Sequence, residues 1–136
     1  MNQIFVDELR KKFHNKFTIE LANGFTYVVF PAKNADFGDI VVHEEEPSSY
    51  MIEIGKFTHT HCDIYDDEYD MSDDEKAKEA AEDISWLLEN LFADKIICHG
   101  SHEGGGGYVW HENWIPDEHI DYFVWSGVFK KATLTD

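Results

Sequence analysis

The sequence predicts an α+β domain: a mainly antiparallel sheet with two helices packed on it. Three observations lead there. Apolar residues recur at helical spacing near the N-terminus and again over residues 72–92. Between and after these segments run short apolar or alternating stretches bounded by turn residues, which read as strands. Few connections are long enough for parallel crossovers, so neighbouring strands pair antiparallel and the helices gather on one face. The 136 residues suit one domain, 1–136, with a single core.

The elements follow in order. Phe5, Leu9 and Phe13 recur at i, i+4 and i+8, with Ile4 and Val6 widening the stripe, and Asn15 marks the stop. Residues 17–30 then form a hairpin. Asn23-Gly24 suits a type I′ turn, which needs positive φ at both central positions. That turn pairs Leu21 with Thr26, Ile19 with Val28 and Phe17 with Phe30, and puts all six on one largely apolar face. Residues 39–44 read as a strand and "EEEPSS" as a loop. Residues 50–64 are two short strands or one long strand bent at Gly55.

The second helix spans residues 72–92. Ser72 and Glu75 fit a capping box, while Asp73 and Asp74 suit the positive end of the helix dipole. Its inner stripe is Ala77, Ala80, Ala81, Ile84, Leu87, Leu88 and Leu91. Strands at 95–101, 107–114 and 121–129 complete the chain, with "GGGG" at 104–107 as a hairpin tip.

Charge narrows the function. Acids outnumber bases 28 to 11, a formal net charge of −17. Such a field repels phosphates, which argues against nucleic acid, and attracts cationic proteins. No 18-residue apolar run predicts a membrane span, and "MNQIFVDELRKKF" lacks the apolar core of a signal peptide. Cys62 and Cys98 lie in apolar strands and read as buried thiols of a reducing cytoplasm.

Chemistry is concentrated in "GKFTHTHCD", residues 55–63. On a strand, His59, His61 and Asp63 share one face and Cys62 the other. A His-x-His pair can chelate zinc if a third ligand arrives from His43, His99, His102 or His111. The plainer expectation is that both histidines furnish a half-buried sheet face and the protein needs no cofactor. Residues 63–75 hold eight acids in thirteen positions but match no calcium-loop spacing, and read as a solvated acidic loop. There is no G-x-S-x-G elbow and no phosphate-binding lysine after the glycines. Cys98 and His99, as strand neighbours, face opposite ways.

One further residue stands out. With Ile84 at the centre of the buried face, Trp86 lies about 200° round the second helix, at 100° per residue. Glu79, Glu82, Glu89 and Asn90 surround it. Tryptophan is enriched at binding hot spots, and ringing carboxylates steer a basic partner. The expected partner-binding set is therefore Trp86, Glu79, Glu82 and Glu89, together with Asp66, Asp67, Glu68 and Asp70 of the acidic loop. Glu44–Glu46 add further acidic surface.

The stretch "YMIEIGKFTHTHCDIYDD", followed by "EKAKEAAEDISWLLENLFADKIICHG", resembles the small bacterial immunity proteins that neutralise polymorphic toxins. Those proteins carry a strand ending in a His-x-His-Phe-Asp-like motif, then a loop, an amphipathic helix and a strand. Here the motif is His59, Thr60, His61, Cys62 and Asp63, with cysteine in the aromatic position, and the likeness covers residues 50–99. The resemblance implies an acidic, cytoplasmic, non-enzymatic protein that occludes the active surface of a toxin.

Overall fold

The computed structural model describes residues 1–64 and 71–133. Helix α1 covers Gln3–Phe13, and the Asn2 side chain accepts a 2.8 Å hydrogen bond from the Ile4 amide at its start. It stops at His14, whose φ of 54° cannot continue a helix. Strands β1 (Thr18–Ala22), β2 (Phe25–Phe30), β3 (Ile40–Glu46), β4 (Ser49–Ile54) and β5 (Thr58–Asp63) follow, and form one antiparallel meander in that order. Helix α2 covers Asp73–Phe92. Strands β6 (Ile96–His99), β7 (Gly107–Trp110), β8 (Tyr122–Val124) and β9 (Gly127–Lys130) make a second antiparallel sheet in the order β7-β6-β8-β9. The fold is α+β as expected, but its strands divide between two sheets.

The first hairpin has the expected register: Ile19 pairs with Val28 and Leu21 with Thr26. Asn23 and Gly24 both hold positive φ, 52° and 82°, as a type I′ turn requires. The face is not buried along its whole length, however. Phe17, Val28 and Phe30 are sealed, while Ile19 is 39% and Leu21 80% exposed, so cover is lost toward the turn. Three strand boundaries also move. The "EEEPSS" segment continues β3 to Glu46 and turns sharply through Pro47 and Ser48, with Ser48 taking φ 67°. Residues 121–129, expected as one strand, fold back as the β8–β9 hairpin, while residues 50–64 take the two-strand form of the two expected. Past Trp110 the chain leaves the sheet for a single 3-10 turn, His111–Asn113.

The main core lies between the helices and one face of the five-stranded sheet. Val28, Phe30, Ile40, Val42, Ile52 and Ile54 supply the sheet side, with Tyr50 stacked on Phe5 at 4.2 Å. Ala77, Ala80 and Ala81 let α2 come close, and Ile84, Leu88 and Leu91 fill the layer. Leu87 of the expected stripe is only partly buried, at the layer's margin. Both halves of the capping box are made: Ser72 accepts from the Glu75 amide at 3.1 Å, and Glu75 from the Ser72 amide at 3.3 Å.

The second sheet joins the same core through Ile96, Cys98 and Trp125, and a smaller cluster around Ile97, Tyr122 and Val124 covers its other side. It meets the first sheet where β7 runs beside β5. The glycine run has its reason there. A Cβ on Gly106 would collide with the Phe57 carbonyl oxygen, so only glycine allows that approach.

Candidate functional site

Helix α2 puts Trp86 where the 100° arithmetic expects it. Its side chain is 60% exposed and packs on Trp110 of β7, ring centroids 5.2 Å apart and planes inclined by 40°. The Trp86 carbonyl accepts a 2.7 Å hydrogen bond from the Asn90 side chain, one turn on along the same face. On β7, Tyr108 and Trp110 alternate with Val109 and so share a face.

Trp86 forms the ridge between two shallow grooves. One, of 480 Å³, runs between α2, β5 and β7, with Trp86 and Tyr108 as aromatic walls and Asp63 and Asp83 among its lining. The other, of 600 Å³, lies toward the helix C-terminus and is lined by Trp86, Trp110, Asn90, Asp94 and Glu112.

The expected acids divide by direction. Glu79, Glu82 and Glu89 are all on the exposed surface of α2. Glu89 turns toward α1 and meets Lys12 at 3.5 Å. Among the described residues Glu79, Glu82 and Asp83 are in no ion pair. Asp66, Asp67, Glu68 and Asp70 lie outside the described residues. Glu44 accepts from the Asn2 amide at 3.4 Å and hydrogen-bonds Tyr50, and Glu45 bonds His61; both carboxylates serve the fold as well as the surface. Burial, together with Glu44, pushes the Tyr50 hydroxyl well above its ordinary range.

Cys62 lines the groove between α2, β5 and β7. Burial first, then Asp83, Asp63 and Glu79, pushes its thiol up to about 11. Cys98, sealed in the core, is pushed up to about 12 by burial alone. Neither thiol suits nucleophilic chemistry, which needs the thiolate at neutral pH.

His59 and His61 share the outer face of β5, opposite Cys62. They are exposed rather than half-buried, because that face of the sheet carries no covering layer. Their rings stand 5.1 Å apart and nearly perpendicular. His61 Nδ1 lies 3.0 Å from Glu45 Oε1, and His102 stacks parallel to His59 at 5.9 Å. Among the described residues, no three side chains of His, Cys, Asp or Glu converge as a metal site. His59 instead meets His61 edge to face and lies parallel to His102.

Two participants escaped the sequence. Asp83 lies 60° round the helix from Trp86 on the groove side, and the same wheel that picked Trp86 would have found it. Tyr108 is brought in by the β6–β7 pairing and the approach of β7 to β5, which no local pattern encodes. No helix among the described residues is long and apolar enough to cross a membrane. Compared with family models, curated proteins and solved structures, the chain matches none.

Proposed function

We propose that the chain is a non-enzymatic binding protein whose acidic α2 face occludes a basic partner protein. The observation that carries this reading is Trp86: 60% exposed on Trp110, on a helix face whose Glu79, Glu82 and Asp83 meet no cation within the described chain. An indole held in place and ringed by uncompensated carboxylates gains most from a partner that brings positive charge and an apolar contact together. The resemblance to immunity proteins of polymorphic-toxin systems narrows the partner to a toxin and the compartment to the bacterial cytoplasm. The net charge of −17 supports the same choice and disfavours nucleic acid.

The test is capture of the partner from an extract of the source cells on the immobilised protein, followed by measurement of its association rate. The expected result is a basic protein whose association slows at least about tenfold between low and half-molar salt, as screening shortens the range of the field. Trp86→Ala, or Glu79→Lys with Glu82→Lys, weakens it by about 2 kcal/mol or more. An association rate indifferent to salt would sink the proposal.

A second reading has its own support. The 5.1 Å spacing of His59 and His61 is close to that of two imidazoles sharing one tetrahedral zinc, about 5 Å for bonds of about 2 Å. His102, beside His59, is the nearest third imidazole to it. Stoichiometric zinc in the purified protein, lost in His61→Ala, would favour this small metal-binding protein. Protein without metal that takes up none on zinc titration would remove it.

A further inference from the structure

We propose that the groove between α2, β5 and β7 is a seat for one arginine side chain of the partner. This rests on reading the α2 face as the surface that meets a basic protein, and adds which chemical group it takes and where. Three features of the groove converge. Its walls are two exposed aromatic rings, Trp86 at 60% and Tyr108 at 36%. Its floor is apolar, with Ile52 and Leu87 beneath, which suits a three-carbon stem. Carboxylates line it: Asp63, oriented by a hydrogen bond from the Ser49 hydroxyl, and Asp83, which is in no ion pair among the described residues; His61, also in the lining, is partnered by Glu45. Cys62 is also in the lining, its thiol raised by burial first and then by Asp83, Asp63 and Glu79.

A guanidinium meets all three at once. Its plane stacks on an indole, its fork bridges to a carboxylate, and it is less strongly hydrated than an ammonium, so entering the groove costs less. The second groove is a poorer seat, because Lys95 stands in its lining and offsets Asp94 and Glu112. The exposed hairpin tip at Leu21 and Phe25 offers apolar side chains with Glu20 beside them, but no tryptophan and no pair of carboxylates. The charge of the chain therefore selects the first groove.

The test titrates the full chain with the blocked tripeptide acetyl-Gly-Arg-Gly-amide and follows the indole N–H signals of the four tryptophans by NMR. The neutral citrulline tripeptide and the lysine tripeptide are the comparison arms. The expected result is a saturable shift of the Trp86 signal, with Trp125 unmoved. The arginine peptide should bind about fivefold or more tightly than the citrulline peptide, and more tightly than the lysine peptide. Asp83→Asn, an exposed and nearly isosteric change, should weaken arginine binding about threefold or more while leaving the spectrum of the fold intact.

Equal binding of arginine and citrulline, or an Asp83→Asn variant that binds as before, overturns the seat. Equal binding of lysine overturns the choice of arginine. The outcome is separable from that of the partner capture. A salt-sensitive partner with no peptide binding at Trp86 leaves the face and removes the seat; peptide binding with a salt-indifferent partner does the reverse.

Discussion

Replacing Trp86 by alanine separates a side chain that serves binding from one that serves the fold. The ring is 60% exposed, so about two fifths of it is covered, chiefly by Trp110. A tryptophan offers at most about 250 Å² for burial, so about 100 Å² returns to water in the variant. At about 25 cal/mol per Å² this costs about 2.5 kcal/mol, an upper figure because the unfolded chain also covers part of its surface. Alanine gives back about half a kcal/mol through its higher helix propensity. The expected loss is therefore about 2 kcal/mol, read as a lowered urea midpoint with an unchanged slope. Trp125 supplies the contrast: it is 8% exposed and packs on Phe37 and Phe92, so Trp125→Ala should cost about 4 kcal/mol or more. Acrylamide should quench the emission of Trp86 before that of Trp125. If the two variants lose equal stability, Trp86 belongs to the core and its assignment to a partner fails.

Ser72→Ala removes the acceptor for the Glu75 amide at the start of α2, and should lower stability by about 1 kcal/mol in the same denaturation assay. Gly106→Ala drives a methyl into the Phe57 carbonyl and should cost about 1–3 kcal/mol, whereas Gly105→Ala, with open space around it, should cost less despite its φ of 84°. Stability should also decline with rising alkalinity. Cys62 and Cys98 hold their protons from their ordinary value near 9 up to about 11 and about 12 in the folded chain, so above pH 9 the unfolded chain binds fewer protons than the native one. The urea midpoint should fall between pH 9 and 11, and fall less steeply in Cys62→Ser; an equal slope would count against the burial of that thiol.

What the sequence disclosed depended on the range of the interaction. The capping box, the type I′ turn and the α2 stripe are set by residues a few positions apart, and each lies where its local chemistry put it. Boundaries set by distant partners were less legible. β3 continues through Glu46 because β4 pairs with it, despite three consecutive acids and a proline that suggest a loop. Residues 121–129 look like one strand because Trp125 is apolar. Its indole is apolar for a different purpose: it fills the main core from the β8–β9 turn. Leu21 keeps the alternation of its strand and is still exposed, since pattern decides which face a residue takes but not whether anything covers that face.

The division of charge on α2 ties the fold to the proposed role. A helix packed in a core needs one apolar stripe, and its outer surface could be filled with pairs of both signs. On the α1 side that is what occurs, with Lys12 of α1 meeting Glu89. On the groove side the carboxylates of Asp83 and Asp63 stand around a partly buried thiol whose proton they help to hold. That arrangement works against compactness, because like charges gathered beside an apolar floor repel and are partly desolvated. In the proposed role a cation entering beside Asp83 would relieve that repulsion, and the two aromatic walls would make an organic cation a better fit than a hydrated metal ion. Of the two histidines of β5, His61 stands at the groove's edge with Glu45 as its partner, and His59 lies against the rings of its neighbours. The motif that first draws the eye thus borders the groove: His61, Cys62 and Asp63 all stand in its lining, while His59 turns to His61 and His102.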